Sequence, residues 1–544
     1  MEKVIELIRE AHYLYLPIRA GVQEVRFLFM TDNKITTELM IPVGNNKNGK
    51  YQYDYLAKIP MGFFRGKRLT ISSEKEEDSI KAFYEAVFVG KITENAEKKS
   101  SSCRPKIHFT PDYGWINDPN GLVYYNGQYH LYFQYNPFNT TWANISWGHA
   151  VSQDMLHWKQ QDTVMLPDND GVIFSGCGLV NKREMRGLPE DILLFCYTAA
   201  GDSNWISKGK QFVQKFAYSI DQGSTLTKCN DWTVPTICKE NRDPKIFWHE
   251  ETKAYIMCLW LEGNDFAILR SEDLGKWEIS QKFKLDQGFE CPDLFRLPAQ
   301  DLTDRDSAAN ESKWVFWCAY GYYYVGDFDG YQFYLKECRK EAYLTKLPYA
   351  AQTFSNVENG KVISIPWLRT TTKDNLFTGS MGLPREFSLV QKDRAHYLKQ
   401  SLPSIFDESK ELIFETIRKN NGGKKRKTID GECIILEQQK HLPIQINTKL
   451  NKNKRCKRIT WLIYETKISY NQASGILDVD GEKIEIGPDT VDFSFVVDYN
   501  ILEITTEYDI MTSVFELATP RESGTIYIHS NDIQEVEVYI YKLE

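Results

Sequence analysis

The stretch Ser152–Trp158, SQDMLHW, is echoed by SEDLGKW at Ser271–Trp277 and, more loosely, by SIDQGSTLTKCNDW at Ser219–Trp232. Each copy predicts a strand that ends in Ser-x-Asp, a turn, and a tryptophan that packs back on its own hairpin. A unit of this kind, recurring over roughly 300 residues in blades of about 50–60 residues, predicts a five-bladed β-propeller. Ser-x-Asp turns are also common by chance, and these residues alone leave that alternative open.

The composition of the 544-residue chain fits an all-β protein of several domains. Its 31 Tyr, 29 Phe and 13 Trp suit strands and sugar-stacking surfaces, and its length exceeds what one core usually serves. The net charge of −8 gives no indication of a nucleic-acid or membrane-surface partner. Two basic runs, Lys424–Lys427 and Lys454–Arg458, could mark a nuclear signal, but solvated hairpin loops are favoured in an acidic chain.

The compartment is predicted from the first residues and from the cysteines. The start, MEKVIELIRE, does not have the pattern of a secretory signal, and no apolar run reaches the length of a membrane span. The 11 cysteines are scattered without framework spacing, which predicts free thiols in a reducing compartment. We therefore expect a cytoplasmic protein with no membrane partner.

Changes in composition along the chain divide it into five segments. Alternating runs such as EVRFLFM predict an N-terminal β-sandwich-like module over residues 1–92, and the polar stretch TENAEKKSSS predicts a linker over 93–103. Short aromatic strands predict the propeller over 104–400. A polar connection with a helical tendency follows over 401–428. Long alternating strands then predict a C-terminal β-sandwich over 429–544.

Three carboxylates differ from the ordinary surface acids of the chain. Asp118 lies in the turn sequence NDPNG, Asp243 lies between Arg242 and a proline, and Glu290 lies in the apolar context GFECPDLF. A neighbouring proline restricts the backbone and so directs each side chain. An adjacent guanidinium should favour an ionised Asp243 if the two side chains meet, whereas Glu290 has no cation beside it and should hold a proton more readily.

A carboxylate paired with a protonated carboxyl group is what glycoside cleavage requires. One acid protonates the leaving oxygen while the other attacks or stabilises the anomeric carbon. Each residue also has a structural interpretation: Asp118 in an Asx turn, Asp243 in an ion pair, Glu290 as a buried hydrogen-bonded side chain. A metal site is the other option for clustered acids, but no HExxH, EF-hand or CxxC pattern supports it, and no metal or cofactor is predicted.

At these residues the sequence resembles glycoside hydrolase family 32, the β-fructofuranosidases that include invertases, levanases and exo-inulinases. The motifs occur in the family's order and extend over about three hundred residues. They are HFTPDYGWINDPNGLVYYNGQYHLYFQYNP (His108–Pro137), WGHAVSQDMLHW (Trp147–Trp158), FSG (Phe174–Gly176), RDP (Arg242–Pro244), ECPDLF (Glu290–Phe295), VGDFDG (Val325–Gly330), YAAQTF (Tyr349–Phe354) and LPRE (Leu383–Glu386).

The resemblance implies a five-bladed propeller joined to a β-sandwich, and a retaining double displacement. By motif, Asp118 would be the nucleophile, Glu290 the acid and base, and Asp243 the transition-state stabiliser, with Arg242 beside it. Retention requires the nucleophile and the acid to lie about 5–5.5 Å apart. The same transfer implies a fructose pocket lined by Asn117, Gln134, Trp142, Phe174, Ser175 and Trp367. The two tryptophans could instead serve only in packing, and His149 and His157 are expected to be structural.

The function expected from these residues is an intracellular exo-acting hydrolase that releases fructose from sucrose or short fructo-oligosaccharides. A fructosyltransferase would use the same intermediate, and a sucrose-6-phosphate hydrolase would differ only at the pocket rim. A non-catalytic fructan-binding propeller is the alternative from another class, but it would be expected to have lost one of the three carboxylates. The N-terminal module is similar to the extra β-domain of some bacterial members, where it could narrow the pocket or support a homodimer.

Overall fold

The computed structural model describes residues 1–6, 12–66, 68–91, 104–301, 311–371, 374–415, 428–429, 433–439, 443–451, 458–506, 509–517, 524–530 and 536–543. The predicted linker and the two basic runs, except for Arg458, lie outside these residues. No helix in the described ranges is long and apolar enough to cross a membrane. The described elements are strands, one α-helix of nine residues and short 3₁₀ helices, so the all-β prediction is confirmed.

The first 91 residues form a small β-rich unit with one helix. The strands are β1 (Glu2–Glu6), β2 (Tyr13–Ile18), β3 (Glu24–Thr31), β4 (Lys34–Pro42), β5 (Asn46–Lys47), β6 (Lys50–Tyr51), β7 (Tyr55–Pro60), β8 (Arg68–Ser72) and β9 (Phe88–Gly90), and the helix is α1 (Asp78–Ala86). Two sheets, ordered β1-β8-β3-β4 and β7-β2-β9, enclose a common apolar core. Burial alternates strictly along β3, as the run EVRFLFM predicts. The helix, which the sequence analysis did not predict, packs Ile80 and Phe83 into the same core.

In the middle of the chain, the described residues 104–301, 311–371 and 374–401 contain 23 strands in four sheets. They are β10 (Gly114–Tyr125), β11 (Gln128–Asn136), β12 (Ser146–Ser152), β13 (Lys159–Gln160), β14 (Val172–Val180), β15 (Leu193–Ala200), β16 (Phe212–Ser219), β17 (Thr227–Val234), β18 (Arg242–His249), β19 (Ala254–Glu262), β20 (Asp265–Ser271), β21 (Glu278–Lys284), β22 (Asp293–Asp301), β23 (Glu311–Trp317), β24 (Tyr322–Phe328), β25 (Phe333–Leu335), β26 (Lys340–Glu341), β27 (Pro348–Thr353), β28 (Val362–Leu368), β29 (Phe377–Thr378), β30 (Ser380–Met381), β31 (Arg385–Lys392) and β32 (Ala395–Ser401).

The sheets of this region are mostly antiparallel meanders. Two of them, β14 to β17 and β18 to β21, have four strands in sequence order, and a third has the order β13-β12-β11-β10-β29. The fourth sheet is ten-stranded and includes the path β25-β24-β23-β22-β31-β28-β27. The first strands β10, β14 and β18 contact one another in turn, and β27 contacts β10. Strands β10, β14, β18 and β27, which belong to four different sheets, therefore lie next to one another.

The repeated Ser-x-Asp units have the local structure that the sequence predicts. In both tight copies the serine hydroxyl bonds the aspartate carboxylate. The Trp158 indole N–H donates to the Met155 carbonyl at 3.0 Å, and that of Trp277 donates to the Leu274 carbonyl at 3.1 Å. Met155 and Leu274 have nearly equal left-handed φ angles, 61° and 60°. The looser third copy keeps the serine–aspartate bond but places Trp232 in β17.

The C-terminal region is a two-layer β structure. Its strands are β33 (Lys410–Glu415), β34 (Thr428–Ile429), β35 (Cys433–Gln439), β36 (Ile444–Leu450), β37 (Ile459–Ile463), β38 (Thr466–Asn471), β39 (Ile476–Val479), β40 (Glu482–Glu485), β41 (Asp492–Asp498), β42 (Ile501–Thr506), β43 (Met511–Glu516), β44 (Gly524–Ser530) and β45 (Val536–Leu543). Sheets of six and seven strands pack around Trp461, Phe493 and Phe495. Strand β33 lies in the segment expected to be a polar, partly helical connection. It pairs with β45 instead and is the sixth strand of that sheet, because β45 would otherwise be an unpaired edge.

A buried ionic cluster joins the middle region to the C-terminal sheets. The Asp498 carboxylate accepts the backbone N–H groups of Lys106, Ile107 and His108 at 2.8–3.0 Å. The two imidazole nitrogens of His108 lie 2.9 Å from Asp498 and 3.2 Å from Glu503. Arg385 also pairs with Glu503. Burial alone would lower the pKa of His108, but these two carboxylates raise it to about 9. Burial alone would raise the pKa of Glu503, but Arg385 and His108 lower it to about 2.

We predict that His108→Gln lowers the free energy of unfolding at pH 7 by about 3 kcal/mol, because two buried carboxylates lose their shared cation. The folded-state pKa of His108 is raised, so its contribution is complete below the unfolded pKa and is lost as pH rises through about 9. Urea unfolding from pH 6 to 10 should therefore show the difference between wild type and variant shrinking at the alkaline end. His157→Gln is the matched control, since His157 also bonds an aspartate at 2.7 Å but is 59% exposed. A constant difference across this pH range would contradict the assignment.

Candidate active site

Asp118 lies in a bulged strand, not in the exposed turn that NDPNG predicts. Strand β10 pairs with β11, but the register shifts between Ile116 and Pro119 and again between Asn120 and Val123. The turn residues therefore form bulges within strand β10, which pairs with β11 both before and after them in the sequence. Asp118 has no partner residue in β11, and its side chain is partly exposed. It lies on β10, which contacts β14, and β14 in turn contacts β18.

The other two acids are held by unusual backbone conformations. Asp243 has φ 61° at a register shift in β18, and Glu290 and Cys291 have φ 47° and 43° just before β22. Residues other than glycine rarely adopt these left-handed angles, and each costs of order 1–3 kcal/mol. Such strain persists where the surrounding structure fixes it, and it is frequent at functional sites.

The three acids converge on Cys291. The Cys291 N–H donates to Asp243 Oδ2 at 3.1 Å, and its Sγ lies 3.6 Å from the same oxygen. The same sulfur lies 3.7 Å from Asp118 Oδ2, and Glu290 precedes Cys291 in the chain. Cys291 is fully buried, so the sulfur fills the space between the two aspartates. The structure thus brings together all three carboxylates that the sequence singled out.

The partner of Arg242 differs from the sequence prediction. Its guanidinium bonds Glu290 Oε1, with Nε at 3.1 Å, instead of holding Asp243, and it stacks over the Trp260 ring at 3.9 Å. Glu290 therefore does have a cation beside it, contrary to the expectation from its neighbours in sequence. The Tyr349 hydroxyl donates to the other carboxylate oxygen at 2.6 Å.

The two aspartates are harder to ionise than an exposed carboxyl group. Burial raises the pKa of Asp118 to about 6, with the charge of Glu290 adding to the effect and the Ser175 hydroxyl opposing it. Burial and the charge of Glu290 raise the pKa of Asp243 to about 7, while Arg242 opposes the rise. The condition for a readily ionised Asp243 is not met, since the Arg242 guanidinium bonds Glu290 and Asp243 is only 3% exposed.

A chain of polar side chains supports Asp118. Gln134 Nε2 donates to Ser175 Oγ at 3.3 Å, and that hydroxyl donates to Asp118 Oδ2 at 2.7 Å. The Asn117 amide donates to Asp118 Oδ1 at 3.3 Å and accepts the Trp115 indole N–H at 3.1 Å. Two of the predicted pocket residues, Asn117 and Ser175, thus hydrogen-bond the predicted nucleophile directly. A third, Gln134, reaches it through the Ser175 hydroxyl.

Aromatic rings form two walls of the site. Trp367 meets Trp115 and Tyr349 edge to face, with ring centroids 5.9 and 6.2 Å away. Its indole N–H is buried and has no hydrogen-bond acceptor among the described residues. On the other side Trp142 meets Phe174 edge to face at 6.3 Å. These rings surround the carboxylates with apolar surface, which suits a cup for a single sugar ring.

Two residues of the site were not predicted from the sequence. Tyr349 bonds Glu290, and Cys291 touches both aspartates. Tyr349 begins the motif YAAQTF, and Cys291 is the second residue of the motif ECPDLF. These two motifs are the sequence features from which both residues could have been predicted. Neither His149 nor His157 contacts the three candidate catalytic carboxylates in the described contacts. His149 stacks on Tyr132 with ring centroids 4.2 Å apart, and His157 bonds Asp154.

The model of the family "Glycosyl hydrolases family 32 N-terminal domain" matches residues 108–401, more than half of the chain. The chain belongs to glycoside hydrolase family 32. The matched family residues include all three carboxylates and every predicted pocket residue.

Individual family 32 relatives match over different parts of their length. The levanase of Bacillus subtilis (strain 168) is 40% identical over 250 residues, which are 42% of this chain and 35% of the levanase. An extracellular exo-inulinase of Meyerozyma guilliermondii is 30% identical over 427 residues, 73% of this chain and 78% of that protein. This family 32 chain thus spans about a third of the levanase.

A solved structure shares the fold. The fructofuranosidase of Schwanniomyces occidentalis, complexed with fructose, superimposes with a TM-score of 0.66 and 25% identity, covering 82% of this chain and 99% of that one.

We predict that Ser175→Ala raises the pKa of Asp118 further above its value of about 6, because the ionised carboxylate loses its 2.7 Å hydrogen bond. Carbon-13 NMR titration of labelled aspartate measures this pKa directly. Ser146→Ala is the control, since that buried hydroxyl donates only to the Asn144 carbonyl at 2.8 Å. An Asp118 pKa that is unchanged or lower in Ser175→Ala would refute the role of the hydroxyl.

Proposed function

We propose that this family 32 chain is an exo-acting glycoside hydrolase that releases terminal β-D-fructofuranose from sucrose, fructo-oligosaccharides or fructans. The observation that carries the proposal is the convergence of Asp118, Asp243 and Glu290 around Cys291 beneath aromatic walls. The names of the relatives, a levanase, an exo-inulinase and a fructofuranosidase bound to fructose, support the same substrate class.

The proposed reaction is a retaining double displacement. The Asp118 carboxylate attacks the anomeric carbon as the glycosidic C–O bond breaks, and Glu290 gives its proton to the departing oxygen. Glu290 then takes a proton from water, whose oxygen attacks the same carbon and displaces Asp118. Two inversions retain the configuration, and this requires the two carboxyl groups to lie about 5–5.5 Å apart. Asp118 and Glu290 keep some exposure in support of these roles, whereas Asp243 is almost fully buried.

The charges of the site oppose full ionisation of its acids. Three carboxylates face one guanidinium, and burial together with the charge of Glu290 raises the pKa values of Asp118 and Asp243 to about 6 and 7. In the proposed reaction Asp118 attacks as the carboxylate, and Glu290 supplies the proton to the leaving oxygen. Asp243 stabilises the transition state through the hydroxyls of the sugar, and Arg242 and Tyr349 position the Glu290 carboxylate.

The proposal extends to architecture and location. We propose that residues 104–400 form a five-bladed propeller, with the N-terminal module over 1–92, the linker over 93–103 and the C-terminal sandwich over 429–544, to which β33 (Lys410–Glu415) adds an edge strand. The four-stranded meanders and the contacts among their first strands support it. A cytoplasmic location is supported by buried free thiols, and a homodimer is part of the same proposal. These thiols belong to Cys177, Cys196, Cys258, Cys291 and Cys318.

We predict that Asp118→Asn lowers kcat on sucrose by at least about 10³-fold, since an amide cannot form the covalent intermediate, while fructose binding stays measurable. Asp191→Asn is the matched control, because Asp191 is exposed and its φ of 57° suits asparagine. Product analysis of the wild type tests the function itself: equal glucose and fructose support hydrolysis, and a fructose deficit indicates a fructosyltransferase. Turnover by Asp118→Asn within a few-fold of wild type would remove the nucleophile role.

We predict that Glu290→Gln slows sucrose hydrolysis at least about 10²-fold more than hydrolysis of an aryl fructoside with a good leaving group. Protonation by the acid matters most where the leaving oxygen is most basic. Steady-state kinetics on both substrates give the ratio, and Glu240→Gln serves as control, since its carboxylate lies 3.8 Å from Arg242 but does not contact Glu290 in the described contacts. Equal losses on the two substrates would argue against the acid role.

A further inference from the structure

A cleft of about 400 Å³ lies beside the candidate active site, between the N-terminal unit and two loops of the middle region. Its walls come from strand β4, from the loop that follows β11, and from the loop that follows β15. The volume falls within the roughly 300–1,000 Å³ range of small-molecule sites. Neither the family match at residues 108–401 nor the catalytic cluster includes the β4 wall.

Two exposed tryptophans flank the cleft. Trp142 is 55% exposed and Trp205 is 51% exposed, among the largest exposures of aromatic side chains in the described residues. Exposed indole surface is costly in water and is a favourable place for the C–H face of a sugar ring. Asp202 also lines the cleft and supplies a carboxylate for hydroxyls, whereas the Asn204 amide caps the 3₁₀ helix Trp205–Ser207 and bonds the Asp168 carbonyl. The charged residues among the described lining are the acids Glu38 and Asp202. The Arg26 guanidinium lies over one face of the Trp205 ring, 5.2 Å from its centroid, so a sugar would stack on the opposite face.

The N-terminal unit holds this cleft in shape. The buried Glu38 carboxylate on β4 accepts the Ile206 N–H at 3.0 Å, so it anchors the 3₁₀ helix Trp205–Ser207. The Asn144 amide bonds both the N–H and the C=O of Met40, at 2.7 and 2.8 Å, as another strand would. Without these contacts, the loop that carries Trp205 and the loop that carries Trp142 would each lose a hydrogen-bonded partner in β4.

A short series of contacts links the cleft to the candidate fructose pocket. Trp142 contacts Phe174, the next residue is Ser175, and the Ser175 hydroxyl bonds Asp118. Val172, in the same strand β14, lines the cleft. An exo-acting pocket admits one terminal sugar, so the remaining units of a longer substrate must cross a neighbouring surface.

We propose that this cleft binds the sugar units of a fructo-oligosaccharide beyond the terminal fructose, with Trp205 as a stacking platform and Glu38 as its positioning residue. The inference rests on the proposed function and adds a substrate-length preference to it. The N-terminal unit thereby becomes part of the substrate-binding surface.

The test compares kcat/KM on a fructo-tetrasaccharide with kcat/KM on sucrose. Trp205→Ala should lower the ratio of the two about tenfold, the loss expected for one stacking contact. Glu38→Ala should lower it in the same direction, whereas Glu38→Gln keeps an acceptor for the Ile206 N–H and should stay near the wild-type ratio. Tyr334→Ala, at an exposed ring of β25 outside the cleft, is the control.

The outcomes separate the two proposals. A Trp205→Ala ratio within about twofold of wild type, with both substrates hydrolysed, overturns the cleft proposal and leaves the proposed function intact. If the wild type releases fructose from neither substrate, the proposed function fails and the cleft proposal fails with it. Equal losses of Glu38→Ala and Glu38→Gln would refute the positioning role of Glu38.

Discussion

Three carboxylates crowded around one buried cysteine, with a single guanidinium among them, are the constraint on which the chemistry of this protein depends. Neighbouring carboxylates in a largely buried site cannot all be ionised without a cost in free energy. The raised pKa values of Asp118 and Asp243 express that cost. Because the guanidinium of Arg242 bonds Glu290, the aspartates depend on hydrogen bonds from Ser175 and from the Cys291 backbone.

The fold maintains this arrangement by packing and by strain. The acids come from β10, from β18 and from the segment before β22, at positions where the strand ladder is interrupted or the backbone is left-handed. Aromatic side chains and long β-ladders on either side supply the stability that these irregularities cost. Bulges and residues with left-handed φ therefore direct these side chains into the space between the sheets. In regular strands the same side chains would point elsewhere.

Much of this could be predicted from the sequence, and the errors have a common cause. The tight copies of the Ser-x-Asp unit, the alternation of β3 and the all-β class depend on local patterns, and all are present in the structure. The partner of Arg242, the strand at 410–415 and the contact of Tyr349 with Glu290 depend on residues that are distant in the chain. The NDPNG turn was mispredicted for the same reason, since pairing with β11 overrides a local turn preference.

The central claim is that Asp118 and Glu290 face the same anomeric carbon from positions that allow a covalent intermediate. The most direct measurement is the configuration of fructose at the moment of its release, followed by rapid NMR during hydrolysis of sucrose. The account predicts that β-fructofuranose appears first and that the other anomers follow by mutarotation. First appearance of the α-anomer would mean direct attack by water and would contradict the account.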